Sequence, residues 1–398
     1  MGYFYAAQTT QSATGFGGDA VAGGARAAVI VSGVLAALAA WEAGRCRAGL
    51  LWSLAPARGR YRIAFDALRP VLVLALIVDV VAFLSAALMV NASPRAADLP
   101  VIGFAVALQT ALIILGFGVG CVLSRIIAVP TVLIGVTLWL AIPATLETPW
   151  VRYLTGVLSA ALTFTDDLAP SVLLAPLVLA AGVVAAVLLG SVPVRSRLLR
   201  AGVALCCVVA GAVPAQAMVA DAGYEAPTVP RTGAQTCDEG APRICVPEEF
   251  ADALPQLRAA ANKALPNLAE AGVDVPGAVA YVSQDARLEP GDWRMHLERP
   301  VSDLRAFNAV ATAVIPAFRE CPDLPDDHGH PSPGPLAAWL RVSAGMDERD
   351  ASGVGTVRAR REAERVRGLD RVEQRRWFDV QLRALRSCDP KAHAEALP

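Results

Sequence analysis

Long apolar stretches dominate the first 219 residues of the chain. Each stretch is interrupted by few charged residues, and together they cover residues 20–41, 70–91, 101–124, 126–146, 168–190 and 201–220. The first is Ala-rich and carries Arg26 near its start. A helix needs roughly 20 mostly apolar residues to cross the hydrocarbon core of a bilayer, where backbone polar groups find no water. The pattern therefore predicts six membrane-spanning helices.

Beyond residue 219 the pattern changes to short apolar runs between polar residues. Residues 220–236 are rich in Pro, Gly and Thr, as is typical of a linker. An apolar run and a period-two alternation predict strands at residues 278–283 and 293–298. Helical patterns cover residues 250–271, with a break near Pro266, and residues 302–319, 335–344 and 359–387, the last interrupted near Gly368.

These patterns define the expected fold class and domain organisation. We expect an all-α polytopic membrane bundle of about six helices, followed by a small domain that is mostly α or α+β. The membrane domain comprises residues 1–219, the linker residues 220–236, and the C-terminal domain residues 237–398. The C-terminal segment is long enough to bury a core of its own.

Composition and charge exclude several classes of protein. The chain has 55% hydrophobic and 18% charged residues, a mean hydropathy of +0.47 and a net charge of −1. Residues 1–219 hold 13 Arg, no Lys and 8 acidic residues, whereas residues 220–398 hold 22 basic and 28 acidic residues. This distribution excludes a single soluble enzyme domain, a disordered acidic chain and a nucleic-acid binder that works by overall basicity. The ratio of 33 Arg to 2 Lys is typical of a high-GC, actinobacterial genome.

Arginines in the short loops predict the orientation in the membrane. Alternate loops carry six arginines in residues 43–69, then Arg125, and then three in residues 195–200. The opposite loops, with Arg26 included, carry only three. Positively charged loops stay in the cytoplasm. We therefore expect a multi-pass cell-membrane protein whose N-terminus and C-terminal domain both lie outside the cytoplasm.

Four of the eight cysteines lie in the C-terminal domain, namely Cys237, Cys245, Cys321 and Cys388. An even number in an outward-facing domain favours two disulfides in an oxidising compartment. Of the three possible pairings, we prefer Cys237 with Cys245, which leaves Cys321 with Cys388. A four-thiolate zinc site is the alternative, but the chain lacks the C-x-x-C spacing that such sites use.

Motifs for enzymatic chemistry are absent from the sequence. A P-loop needs a lysine behind glycines, and neither Lys263 nor Lys391 fits that pattern. Neither H-E-x-x-H nor G-x-S-x-G occurs. We therefore expect no enzyme activity and no cofactor. A cluster of Asp326, Asp327, His328 and His330 could hold a divalent metal, but turn-forming loops produce the same residues, so we predict no metal site.

Polar residues inside the predicted spans are candidates for function. Asp79 lies near the middle of the second span, where a carboxylate is costly unless it faces a cavity or a polar partner. It is either a substrate-pathway or proton-linked group, or a structural residue hydrogen-bonded to Gln109 of the next span. Gly116 and Gly120 form a small-xxx-small face that favours close helix packing.

The loop between the first two spans resembles the coupling segment of a transporter family. An acidic residue, an arginine and a glycine are followed by leucines, a proline and further arginines. This pattern resembles that of type 2 export permeases of the ATP-binding-cassette (ABC) transporter superfamily. The matching positions are Glu42, Arg45, Gly49, Leu50, Leu51, Leu54, Pro56, Arg58 and Arg60.

The resemblance implies a function and a set of partners. In the family this segment docks on a separate ATPase subunit, so the chain would be a permease subunit coupled to such an ATPase through residues 42–69. It would form a homo- or heterodimer in the lipid bilayer and bind no nucleic acid. The family has one more span upstream and usually ends near its last span, which leaves a truncated start or a non-transporting relative open. The alternative is a polytopic receptor or cell-envelope interaction protein whose C-terminal domain binds a ligand or partner.

Overall fold

The chain consists of two compact units, Met1–Val229 and Pro230–Pro398. The computed structural model describes residues 15–49, 59–158, 163–190, 196–223, 226–231, 233, 235–316, 332–347 and 356–396. Helices make up the first unit almost entirely, whereas the second combines a small sheet with shorter helices.

The described part of the first unit contains six long apolar helices. Each is long and apolar enough to cross a membrane, which confirms the predicted number of long apolar helices. Short 3-10 turns extend two of these helices: Ala96–Asp98 precedes the third helix, and Ile142–Thr145 follows the fourth. The helices are α1 (Gly17–Ala48), α2 (Arg60–Val90), α3 (Leu99–Val122), α4 (Arg125–Ala141), α5 (Pro170–Gly190) and α6 (Arg197–Val219).

Helix α1 lies at the centre of this unit. It packs against α2, α3 and α4, while α5 packs against α6 and α3. Its composition explains the position, because Ala and Gly let neighbouring backbones approach closely. An added Cβ on Gly116 would collide with the carbonyl oxygen of Ala36, and one on Gly120 would lie 2.8 Å from the Cα of Ala40. The predicted packing role of these two glycines is confirmed.

Short irregular elements cover the end of the unit at which α1 begins. A 3-10 segment, Pro149–Thr155, and a two-stranded sheet of β1 (Asp166–Leu168) and β2 (Thr228–Pro230) form this cover. The Tyr153 hydroxyl donates to the Gly223 carbonyl at 2.7 Å. The predicted linker therefore contains an ordered strand, because its extended backbone finds hydrogen-bonding partners in the loop before α5.

The second unit is built on a four-stranded sheet in the order β3–β4–β5–β6. β3 and β4 are antiparallel, whereas β4, β5 and β6 run parallel. Helix α7 (Leu254–Glu270) connects the parallel strands β4 and β5, and it continues through Pro266 without a break. The strands are β3 (Gln235–Cys237), β4 (Arg243–Pro247), β5 (Ala278–Ala280) and β6 (Trp293–Arg294).

Five further helices lie in the described part of the second unit. Side chains at the residues before four of them accept backbone N–H groups of the first turn, which otherwise lack partners. The interruption near Gly368 is confirmed, since one helix ends at Arg367 and the next begins at Arg371. The helices are α8 (Asp303–Ala311), α9 (Pro333–Ser343), α10 (Val357–Arg367), α11 (Arg371–Arg386) and α12 (Pro390–Ala396).

The core of the second unit is apolar and well formed, as expected for a mixed α+β domain. Ile244, Val279 and Leu257 are fully buried between the sheet and α7. Trp339 of α9 is also fully buried, its ring centroid 5.7 Å from that of Phe378 in α11. The indole N–H donates to the Gln374 side chain at 3.2 Å, so its polar atom is satisfied.

Candidate functional site

Arginines of two different loops meet at one end of the membrane unit, which we call the basic end. It comprises the last turns of α1, the first turns of α2 and the α3–α4 turn. Arg47 Nη1 donates to the carbonyl oxygens of Val122 at 2.8 Å and Leu123 at 3.2 Å. The last carbonyls of a helix lack intrahelical donors and carry partial negative charge, so the guanidinium caps α3. The two loops therefore lie at the same end of the bundle.

A second contact joins α1 to the start of α4. The Arg125 guanidinium lies 5.3 Å from the centroid of the Trp41 ring, in a cation–π geometry. Gly44 permits this approach, because an added Cβ there would lie 2.6 Å from the Cβ of Arg125. The start of α4 is thus held against the last turns of α1 by direct contacts.

The first two residues of the predicted coupling segment, Glu42 and Arg45, lie on the last turns of α1. Glu42 and Arg45 form an ion pair, with Arg45 Nη1 3.0 Å from Glu42 Oε1. The Arg45 side chain is 62% exposed, so this pair contributes little stability. Gly49 follows the helix, and its N–H donates to the Arg45 carbonyl at 2.9 Å.

The rest of the predicted coupling segment begins where α1 ends. Leu50, Leu51, Leu54, Pro56 and Arg58 lie outside the described residues. The description resumes at Gly59, whose φ of 70° is a left-handed conformation that favours glycine. Arg60 is the first residue of α2 and is exposed.

Both helices that flank this segment extend beyond their apolar stretches. In α1, residues 42–48 continue for about 10 Å past the apolar part, and in α2 residues 60–69 precede it by about 15 Å. The two extensions pack against each other, since Ala43 and Leu68 belong to one buried cluster. The basic end is therefore a packed helical pair on either side of residues 50–58.

The predicted intramembrane polar residues are brought together in the middle of the unit. Asp79 on α2 and Gln109 on α3 are 4% and 1% exposed, and their side chains are hydrogen-bonded. Gln109 Nε2 also donates to the Ala28 carbonyl of α1 at 3.2 Å. Ser32, fully buried on α1, donates to the same carbonyl at 3.0 Å. One amide side chain thus links three helices.

One atom of this cluster has no hydrogen-bond partner. Asp79 Oδ1 is buried and accepts no hydrogen bond from any described residue. A buried carboxylate oxygen without a donor costs free energy, and such a group inside a membrane is a candidate for binding a proton or another cation. The Gln109 bond therefore satisfies only part of the Asp79 carboxyl group.

The cysteine pair preferred from the sequence is present in the second unit. Cys237 and Cys245 form a disulfide with an S–S distance of 2.06 Å, between the paired strands β3 and β4. Asp238 inside the loop accepts the Ile244 N–H at 2.8 Å and Arg258 Nε at 2.6 Å. Cys388 is also disulfide-bonded, whereas Cys321, its predicted partner, lies outside the described residues.

Sequence reasoning missed a buried arginine in the second unit. Arg341 of α9 is 9% exposed and donates through Nε to Asn308 Oδ1 of α8. Burial lowers the pKa of this guanidinium, because the charged form loses hydration. Its position within the apolar run LAAWLRVSA was the available signal, since a lone arginine there must point into the core.

Among the described residues, no group of three or more His, Cys, Asp or Glu side chains is arranged to hold a metal ion. The sequence cluster of Asp326, Asp327, His328 and His330 lies outside those residues.

Sequence reasoning also missed three residues of the two regions described above. They are Arg47 and Trp41 at the basic end, and Ser32 in the polar cluster around Gln109. Arg47 carried a usable signal as a basic residue in the last turn of α1, but the helix it caps is α3.

Comparison with known proteins gives one match, in the second unit. Residues 244–388 match the model of a family described as a Domain of unknown function (DUF7224). No curated protein and no solved structure matches the chain. None of the six long apolar helices found in the described part of the chain lies in the matched range, so the function of the helical unit is argued from its geometry.

Proposed function

We propose that the chain is the membrane subunit of an ABC-type export system and couples to a separate ATPase through residues 42–69. Two such chains, identical or related, would pair with two ATPase subunits and move a solute outward across the cell membrane. The N-terminus and the C-terminal domain would lie on the outer side. ATP hydrolysis would belong to the partner, in keeping with the absence of a P-loop motif from this sequence.

The geometry of the basic end is the observation that supports this proposal best. The ends of α1 and α2 that flank residues 50–58 extend beyond their apolar stretches and pack against each other. A segment that receives force from an ATPase needs this kind of rigid connection, because motion must reach the spanning helices without being absorbed by a flexible loop. Contacts of Arg47 and Arg125 extend the rigid part to α3 and α4.

Exposed charge at the base of the segment is the second supporting feature. The Glu42–Arg45 pair faces solvent and adds little to folding, so it is available to a partner surface. In the proposed complex this pair and the following leucines would dock in a groove of the ATPase, with charges at the rim setting register and apolar residues filling the groove.

Purification of the full chain from membranes of its native host tests the proposal. We expect a P-loop ATPase to be retained in detergent, and its ATPase activity to change when it is bound to the chain. The double variant Glu42→Ala/Arg45→Ala should reduce retention by about tenfold or more, since interface charge pairs contribute several-fold effects each.

Glu147→Ala is the matched control, because it removes one exposed carboxylate at the opposite end of the bundle. Retention of the ATPase should be unchanged in that variant. Absence of any P-loop protein, or equal loss of retention in both variants, would overturn the proposal.

A receptor or cell-envelope interaction protein is the second candidate. The existence of a separate compact unit with its own core, matched by its own family model, favours it. Deletion of residues 235–398 separates the two functions. A permease should keep its ATPase without the C-terminal unit, whereas a receptor should lose its ligand or partner.

A further inference from the structure

Charge is unevenly distributed within the second unit. Residues 357–386, which form α10 and α11, contain ten Arg and five acidic residues. The other residues between 220 and 398 contain twelve basic and 23 acidic residues. Two basic helices are therefore carried on an otherwise acidic domain, which sets their charge apart from that of the rest of the unit.

Most arginines of this pair are exposed to solvent. The two helices pack in the core through Ala363 and Val366 of α10 and Phe378 of α11. Arg358, Arg361, Arg371, Arg376 and Arg386 are exposed, and none forms an ion pair with a described residue. We call these five residues the arginine patch.

Two exposed apolar side chains accompany the arginine patch. Val357 is 55% exposed and Val372 is 79% exposed, each in the first turn of its helix and next to a patch arginine. Val372 lies one turn from Arg375 and Arg376 on α11. A valine side chain exposed to water is unfavourable. Arginines with valines between them therefore suit a partner surface that has an anionic outer layer and an apolar layer below it.

We propose that the arginine patch and its two valines dock on the surface of a bilayer containing anionic phospholipids. The guanidinium groups bind lipid phosphates with two parallel hydrogen bonds, and the valines enter the interface below them. Each arginine near such a surface adds attraction, while the acidic remainder of the domain is repelled from it. The patch therefore determines which side of the domain faces the lipid.

Covalent connection to the membrane helices favours a lipid partner over a soluble one. Strand β2, which ends at Pro230, is paired with β1 of the helical unit, and the sheet of the second unit begins at Gln235, after only four further residues. So short a connection exposes the domain to a high effective concentration of headgroups. Modest attraction is therefore enough for docking, without a high-affinity site.

Chemical footprinting of the full chain tests this proposal. We would reconstitute the protein into nanodiscs of phosphatidylcholine alone, or with about one third phosphatidylglycerol, and modify exposed arginines with phenylglyoxal. Mass spectrometry then gives a rate for each arginine. Arg371 and Arg376 should react about fivefold more slowly in the anionic nanodiscs, the factor expected for one arginine–headgroup contact. High salt should remove the difference because it screens exposed charges.

Arg243 and Arg287 are internal controls, since both are exposed in the same unit but lie outside the patch. Their rates should not depend on lipid composition. The double variant Arg371→Gln/Arg376→Gln should abolish the protection of Arg361, whereas Arg243→Gln/Arg287→Gln, with the same loss of charge, should leave it intact. Val372→Ser should weaken the protection, and Leu304→Ser, at another exposed apolar side chain, should not.

Three results would overturn the proposal. Equal rates in both nanodisc types would show that the patch is simply solvated. Protection in neutral lipid that grows with protein concentration would show that the acidic surface of a second copy covers it. Protection by free glycerol phosphate at the same phosphate concentration as the lipid would identify a site for a soluble phosphate instead of a bilayer surface.

Discussion

Single polar residues inside the helical unit differ in how completely they are hydrogen-bonded. The Arg26 guanidinium, unusual in a spanning helix, donates through Nε to the Leu158 carbonyl at 2.8 Å. Ser32 and Gln109 share the Ala28 carbonyl. Asp79 alone among these four has a buried oxygen that receives no hydrogen bond from a described residue. A substitution of Asp79 can therefore distinguish a role in the stability of the helical unit from a role in its function.

Replacement of Asp79 by Asn should stabilise the helical unit. The amide keeps a polar contact with Gln109 but removes a charge whose burial with an unpartnered oxygen costs about 1–3 kcal/mol. Thermal unfolding of the purified chain in detergent measures the change, with Asp66→Asn, an exposed site on the same helix, as the control. A lower melting temperature would instead show that the carboxylate is structural. Unchanged folding with lost export would assign it to the transport pathway.

The buried Arg341 in the second unit makes the opposite prediction, because no described residue forms an ion pair with its guanidinium. Asn308→Asp would place a carboxylate against the guanidinium and should raise local stability by about 1–2 kcal/mol at neutral pH. The new carboxyl would have a pKa below its unfolded value, so this gain is present above about pH 4 and is lost as the pH falls through the folded pKa.

Hydrogen exchange of α9 amides measures this stability, since it reports opening of the element in the intact chain. Asn308→Ala should lower the protection by about 1–3 kcal/mol, as the buried guanidinium then loses its acceptor. Asn262→Asp, at an exposed position of α7, should have no effect on α9. Equal protection in the Asp and Ala variants would contradict the assigned contact.

At the scale of elements, the least apolar of the six long helices is the most buried. The central helix α1 has a mean hydropathy of 1.8 in its most apolar window, against 2.8 for α2 and α5. Yet 61% of that window is buried within the unit, against 28% and 22%. A helix surrounded by protein needs small side chains more than apolar ones, because its neighbours, not lipid, contact its surface.

Close packing of α1 and α3 at glycine positions gives a prediction. Gly116→Ala should destabilise the helical unit by about 1–3 kcal/mol, because the added methyl group must push the Ala36 backbone away. Gly103→Ala on the same helix is the matched control, since its Cβ would meet nothing within 4 Å. That change should be neutral, or stabilising by up to about 1 kcal/mol, from helix propensity. Similar melting temperatures for the two variants in detergent would contradict the described crossing.

For the whole molecule, the two ends of the helical unit differ in composition. The basic end gathers Arg47 and Arg125 from different loops, whereas the other end is covered by short strands and a 3-10 segment. This segregation agrees with the arginine count in the loops. The disulfide between Cys237 and Cys245 agrees with an oxidising environment for the second unit.

Cysteine labelling in intact cells tests the orientation that these features suggest. Leu304→Cys, at an exposed site of the second unit, should react with a membrane-impermeant maleimide without permeabilisation. Tyr61→Cys, at an exposed site of the basic end, should react only after permeabilisation. The parent chain gives the background from its free cysteines. The reverse pattern would invert the proposed topology and place the predicted coupling segment outside the cytoplasm.

The sequence by itself determined the number of long apolar helices, their approximate bounds and the division into a helical and a mixed part. Local physics governs these features, since the length of an apolar run and the period of an amphipathic pattern are properties of neighbouring residues. It also indicated the preferred cysteine pair, because Cys237 and Cys245 are separated by a short turn-forming loop. Strand β2 was missed, since its pairing partner lies about sixty residues away.

Only the tertiary structure decided which helix is central and which polar groups meet. Arg47 caps a helix 75 residues further along the chain, and the Asp79–Gln109–Ala28 contacts join three helices. Arg341 could be assigned to Asn308 only once α8 and α9 were packed. Such contacts depend on distances between residues far apart in sequence. No periodicity encodes them, because each requires the packing of several elements at once.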